Sequence, residues 1–124
     1  MTDLIECEIE SVCKLNQKAL GLDESFNPNS LSGCYSSVDY FENIEEKIAS
    51  VVRSLIKNHY LPDGNKRTAF ATFIALCFLN KISVPDKDWG PIFESIASRN
   101  DSVEEMAQIL FGNVTTFSCL IQQK

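Results

Sequence analysis

A chain of 124 residues can bury one apolar core and is short for two, which predicts a single domain over 1–124. With 44% hydrophobic and 23% charged residues it falls outside the apolar-poor class of disordered chains, and its net charge of -6 excludes a field that would gather nucleic acid or an anionic membrane. The five cysteines, Cys7, Cys13, Cys34, Cys77 and Cys119, contain no C-x-x-C pair and leave one unpaired, which excludes a complete disulfide framework and argues for reduced thiols in a cytosol.

The opening residues Met1 to Glu6 lack the basic-then-apolar order of a secretory leader, which gives the expectation of a cytoplasmic protein. Ile5, Ile9, Val12 and Leu15 recur near helical spacing, predicting a first helix over 4–20, and Gly21 stands where a helix C-cap takes a left-handed residue. The Pro, Gly, Asn and Ser content of 22–37 reads as a loop carrying a short flap or hairpin. Over 41–58, Ile44, Ile48, Val51, Val52, Leu55 and Ile56 form one stripe, with Glu45, Glu46, Lys47, Arg53 and Lys57 outside it. This is an amphipathic helix whose acidic first turns and terminal Lys57 suit its own dipole. Pro62 disfavours helical geometry before it, so the helix stops near His59.

From 65 to 80 the chain is apolar nearly all round through Ala69, Phe70, Phe73, Ile74, Leu76, Phe78 and Leu79, which predicts a central helix enclosed by neighbours, with Phe70, Phe73 and Phe78 in the core. Its apolar run is too short for the roughly 20 residues of a membrane span. Beyond a break at Ser83-Val84-Pro85, helices are predicted over 87–98 and 102–111, the second opened by a Ser102/Glu105 capping box. Trp89 is expected to be half exposed. In 114–124, Thr115-Thr116-Phe117 favours strand whereas Leu120-Ile121-Gln122-Gln123 tolerates helix. The fold class is therefore all-α, a helical bundle with little strand.

One connector carries chemistry: His59-Tyr60-Leu61-Pro62-Asp63-Gly64-Asn65-Lys66-Arg67-Thr68. Lys66 and Arg67 stand at a helix N-terminus, where the dipole opposes each cation by about 0.3–1 kcal/mol. A bound anion reverses that sign. Free N–H groups at a helix start, approachable beside Gly64 and joined by cations, are what a phosphate site requires. Asp63 adds a hard oxygen ligand suited to Mg²⁺ beside phosphates. His59, the sole histidine, titrates near neutrality and can take a proton from a hydroxyl. The plainer roles are a helix cap for His59, N-caps for Asp63 and Asn65, and a solvated pair for Lys66 and Arg67.

The segment resembles the active-site motif of the Fic/Doc family, His-Pro-Phe-x-Asp/Glu-Gly-Asn-Gly-Arg, and Asn65-Lys66-Arg67-Thr68 matches the ending of its Doc branch. The likeness extends over about 31–111, through the Ile-Lys-Asn-His helix end before the loop and the late Ser-Val-Glu-Glu-Met-Ala-Gln segment. Tyr60-Leu61 replaces the family's Pro-Phe, so Leu61 must anchor the loop with less area. The family's inhibitory helix motif is only approached by Thr2 to Cys7, which implies inhibition by a separate antitoxin.

By resemblance, His59 is the general base, Asp63 the Mg²⁺ ligand, Gly64 and Asn65 part of the anion hole, and Arg67 the cation that neutralises charge in the transition state. Lys66 is the discriminating position, since Gly there accompanies nucleotidyl transfer from the α-phosphate and Lys there accompanies kinase activity on the γ-phosphate. The implied activity is that of a toxin kinase using ATP to phosphorylate a hydroxyl of a cytosolic protein, with elongation factor Tu the suggested substrate. Two alternatives stand beside it: a nucleotidyl (AMP) transferase acting on a protein hydroxyl, and a binding module that has lost catalysis. Residues 31–40 correspond by position to the family's flap, which docks target by strand addition; a plain surface loop is the other reading.

Overall fold

Asn80 and Tyr35 hold the start of the chain before any helix forms. The Asn80 amide accepts from the Ile5 N–H at 2.9 Å and donates to the Ile5 carbonyl at 3.0 Å. The Tyr35 hydroxyl does the same for Cys7, at 3.1 and 2.7 Å. Backbone groups satisfied in this way have no need of a helical ladder, and the first helix, α1, spans Ile9–Leu20, starting later than the apolar pattern predicts. The computed structural model describes residues 4–21, 33–57 and 65–122, with side chains for all of these but residues 20 and 113–122.

Gly21 closes α1 with φ 68, its N–H on the carbonyls of Gln17 and Lys18, as its sequence position predicts. Ile9, Cys13 and Gln17, four residues apart, make the buried face. Leu15 departs from expectation: it lies about 200° round the helix from Cys13 and is 70% exposed. After α1, Gly33–Tyr35 and Val38–Tyr40 form two 3₁₀ turns that bury Cys34 and Val38. The described part of the expected flap thus holds turns and no strand, and 22–32 lie outside the described residues.

Helix α2 spans Ile44–Lys57. Asn43 caps it, accepting from the Glu46 N–H at 2.7 Å while its amide donates to the Glu46 carboxylate at 3.2 Å. The predicted stripe is buried, from Ile48 through Ile56, against α3 (Asn65–Leu79), α5 (Val103–Gln122) and both 3₁₀ turns. Lys47 corrects the pattern. It is 3% exposed, and its ammonium donates to the Val38 carbonyl at 2.9 Å, because its stem crosses the helix edge to reach the turn packed there. Arg53 likewise donates to the Asp101 carbonyl at 2.9 Å.

Helix α3 buries Thr68, Ala69, Thr72, Phe73, Leu76 and Cys77 among α1, α2 and α4, the last spanning Gly90–Ser98. These neighbours do not surround it to its end. Phe78, expected in the core, is 80% exposed, so the central position is shared with α2. Lys81, at φ 60, lets the Ile82 N–H reach the Cys77 carbonyl at 2.8 Å and terminates the helix.

Phe73 is the hub of the aromatic core, with ring centroids 5.3 Å from Trp89, 5.9 Å from Phe93 and 5.5 Å from Phe111. Trp89 is therefore buried and not half exposed; its indole N–H donates to the Pro85 carbonyl at 3.1 Å, and the Lys87 ammonium lies 4.6 Å over its ring. Helix α4 begins later than predicted, at Gly90, with a proline in its first turn and the Asp88 carboxylate on the Gly90 N–H.

The Ser102/Glu105 box opens α5 as predicted, with bonds of 2.9 and 3.1 Å that hold the Glu105 carboxyl below its ordinary range. The same helix continues to Gln122, which resolves the ambiguous tail in favour of helix. Among the described residues there is no strand and no helix long and apolar enough to cross a membrane, and Cys7, Cys13 and Cys77 are free thiols.

Phe73→Ala should destabilise the fold by about 3–5 kcal/mol in urea unfolding, more than any single exposed apolar truncation such as Leu15→Ala. Burial pushes the Cys13 thiol from 9.0 up to about 11 and the Cys77 thiol up to about 12. The folded state disfavours these thiolates, so the stability concerned is complete below about pH 9 and is lost as pH rises toward those values. Melting curves across this range should fall with pH, and Cys77→Ala should lower the starting stability but flatten the alkaline decline.

Candidate functional site

The motif lies between α2, which ends at Lys57, and α3, which begins at Asn65. His59, Asp63 and Gly64 fall within 58–64, outside the described residues. Asn65, Lys66 and Arg67 form the first turn of α3, which contains no acidic residue. Lys66 and Arg67 are exposed, while Thr68 and Ala69 directly behind them are buried and fix the turn in the core. From α1, the Asn16 amide donates to the Arg67 carbonyl at 3.3 Å.

Helix α4 holds both flanks of this segment. Ahead of it, the Lys57 ammonium donates to the carbonyls of Ile96 at 3.3 Å, Ala97 at 3.5 Å and Arg99. Lys57 therefore serves the C-terminal end of α4, and not only its own helix as the sequence suggests; a long stem lets a cation answer the orphan carbonyls of a neighbour. Behind the segment, the Lys66 ammonium meets both oxygens of Glu94 on α4, at 2.7 and 2.8 Å. Edge-on contact of Phe70 with Phe93, centroids 5.3 Å apart, sets the two helices against each other beside this pair.

Three contributors escaped the sequence reading: Asn16, Glu94 and the carbonyl-capping role of Lys57. Glu94 had a visible signal as the one charged residue in Gly90–Ser98, but its pairing with Lys66, 28 positions away, depends on helix packing that no local pattern encodes.

Chemically, the described part of the site offers first-turn N–H groups, two exposed cations and no carboxylate in the turn itself, a donor set that fits phosphate oxygens. No group of three or more metal-binding side chains occurs among the described residues. Mg²⁺ held by a single carboxylate and substrate phosphates needs no such group.

The Fic/DOC family model matches residues 10–77, which take in nearly all of α1, α2, the connector and nearly all of α3. The chain belongs to the Fic/Doc family. Within it, the chain is similar to a protein named Toxin Doc from Mycolicibacterium smegmatis, 32% identical over 79 residues that cover 60% of this chain and 61% of that relative. The family match ends before α4, so the helix that holds both flanks of the Fic/Doc motif lies beyond the matched span.

Lys57→Met keeps the stem but removes the donors that cap α4. It should lower stability by about 1–2 kcal/mol in chemical denaturation, and Lys57→Arg should recover most of the loss.

Proposed function

We propose that this Fic/Doc chain is a Doc-type toxin kinase that transfers the γ-phosphate of ATP to a hydroxyl of a cytoplasmic protein, elongation factor Tu being the substrate the family resemblance suggests. The observation that carries the reading is the first turn of α3, where Lys66 and Arg67 stand exposed with no carboxylate in the turn. Two cations at a positive helix end are opposed by the helix dipole, and the Glu94 carboxylate that meets Lys66 comes from another helix, so an anion on the turn itself would be favoured. The name of the Mycolicibacterium relative supports the toxin role, and a toxin of this kind calls for an antitoxin partner.

In this reading His59 takes the proton of the target hydroxyl, whose oxygen bonds to the γ-phosphorus as the bond to the bridging oxygen breaks and ADP departs. Arg67 offers a planar pair of donors to the charge that builds on the phosphoryl oxygens. Gly64 and Asn65 shape the anion hole, and Lys66 selects the γ-phosphate. Asp63 would hold Mg²⁺, which supplies charge neutralisation between phosphates.

Nucleotidyl transfer from the α-phosphate is a second reading. The contact of Lys66 with Glu94 favours it, because a Lys66 drawn onto α4 leaves the selecting position less cationic.

Incubation of the protein with cell extract and ATP labelled at the γ or the α position separates the two. Label from the γ position is expected on a protein band, with His59→Ala slowing transfer by about 10²–10⁴-fold and Arg67→Ala comparably. Label from the α position alone overturns the kinase reading, and no transfer from either leaves a binding module.

A further inference from the structure

The carboxylate that meets Lys66 comes from outside the motif and outside the span matched by the family. Both Glu94 oxygens lie within 2.8 Å of the ammonium, occupying two of its three donors. The pairing is not an accident of two long side chains meeting in solvent. Phe93, next to Glu94, is buried between Phe70 and Phe73, and Phe70 follows Lys66 by one helical turn on α3. Core packing therefore sets the helix register that brings Glu94 opposite Lys66. Arg67, the other cation of the turn, accepts from the Asn16 amide through its carbonyl.

We propose that Glu94 is a positioning residue that competes with phosphate for Lys66: its carboxylate holds the ammonium against α4, and a polyphosphate on the first turn of α3 must draw Lys66 away from it. This rests on the phosphate reading of the site and adds to it a built-in restraint. The restraint is modest by construction, because both partners are partly exposed to water and such pairs are weak. It tunes affinity and does not shut the site.

The test is calorimetric titration of inorganic triphosphate into the wild-type chain, Glu94→Gln, Lys66→Gln and the double variant, in dilute buffer. Glu94→Gln is expected to tighten binding about two- to fivefold, the range an exposed ion pair can account for, and to give no gain when Lys66 is already Gln. An equal gain in both backgrounds would mean that Glu94 repels the anion directly, and overturns the positioning role. Binding by the wild type with no gain in Glu94→Gln overturns it as well, while leaving the phosphate site intact. If neither the wild type nor any variant takes up triphosphate, the phosphate reading fails and the proposal with it. Matching melting temperatures for wild type and Glu94→Gln are expected, and separate this effect from a change in folding.

Discussion

Helix α2 is what the rest of this structure is built against. Its apolar stripe packs on α3 and α5, and all three of its cations, Lys47, Arg53 and Lys57, donate to main-chain carbonyls of segments beyond the helix. A carbonyl is a weaker partner than a carboxylate, but it is fixed in place and loses little solvation on pairing. These three side chains fasten a 3₁₀ turn, the start of α5 and the end of α4 to one rod. Apolar burial supplies most of the energy, and these donors decide where the irregular segments lie.

The elements were legible where one local rule decided them. Gly21 ended α1, Ser102 and Glu105 opened α5, and the period of Ile48 to Ile56 gave α2 its buried face. Misreadings came from neighbours. Leu15 and Phe78 belong to helices with apolar residues to spare, and only the arrangement of surrounding helices determines which side is covered. Trp89 looked polar in company with Asp86, Lys87 and Asp88, yet the aromatic cluster around Phe73 takes it in while Lys87 stacks on its outer face. Lys47 counted as a solvent-facing charge until a carbonyl across the helix edge gave it a partner.

The motif was legible as a string of residue types: a histidine, a carboxylate, a glycine and cations at a helix start need only chain order to be noticed. Its surroundings were not, because Asn16 and Glu94 reach the motif from two other helices, and Lys57 ties the end of α2 to α4. Sequence reading assigned Lys57 to its own helix dipole, where its last-turn position places it, and could not show that its ammonium also serves the end of α4.

The two attachments of α4 differ in kind. Lys57 holds carbonyl dipoles within a half-buried helix end, an interaction that dissolved ions disturb little, whereas Lys66 and Glu94 are a water-exposed charge pair subject to Debye screening, about 8 Å at physiological ionic strength. Rising salt therefore loosens the hold on Lys66 before it loosens the hold that Lys57 makes ahead of the motif. The ionic composition of the surroundings acts on one of the two attachments of α4 and leaves the other nearly unchanged.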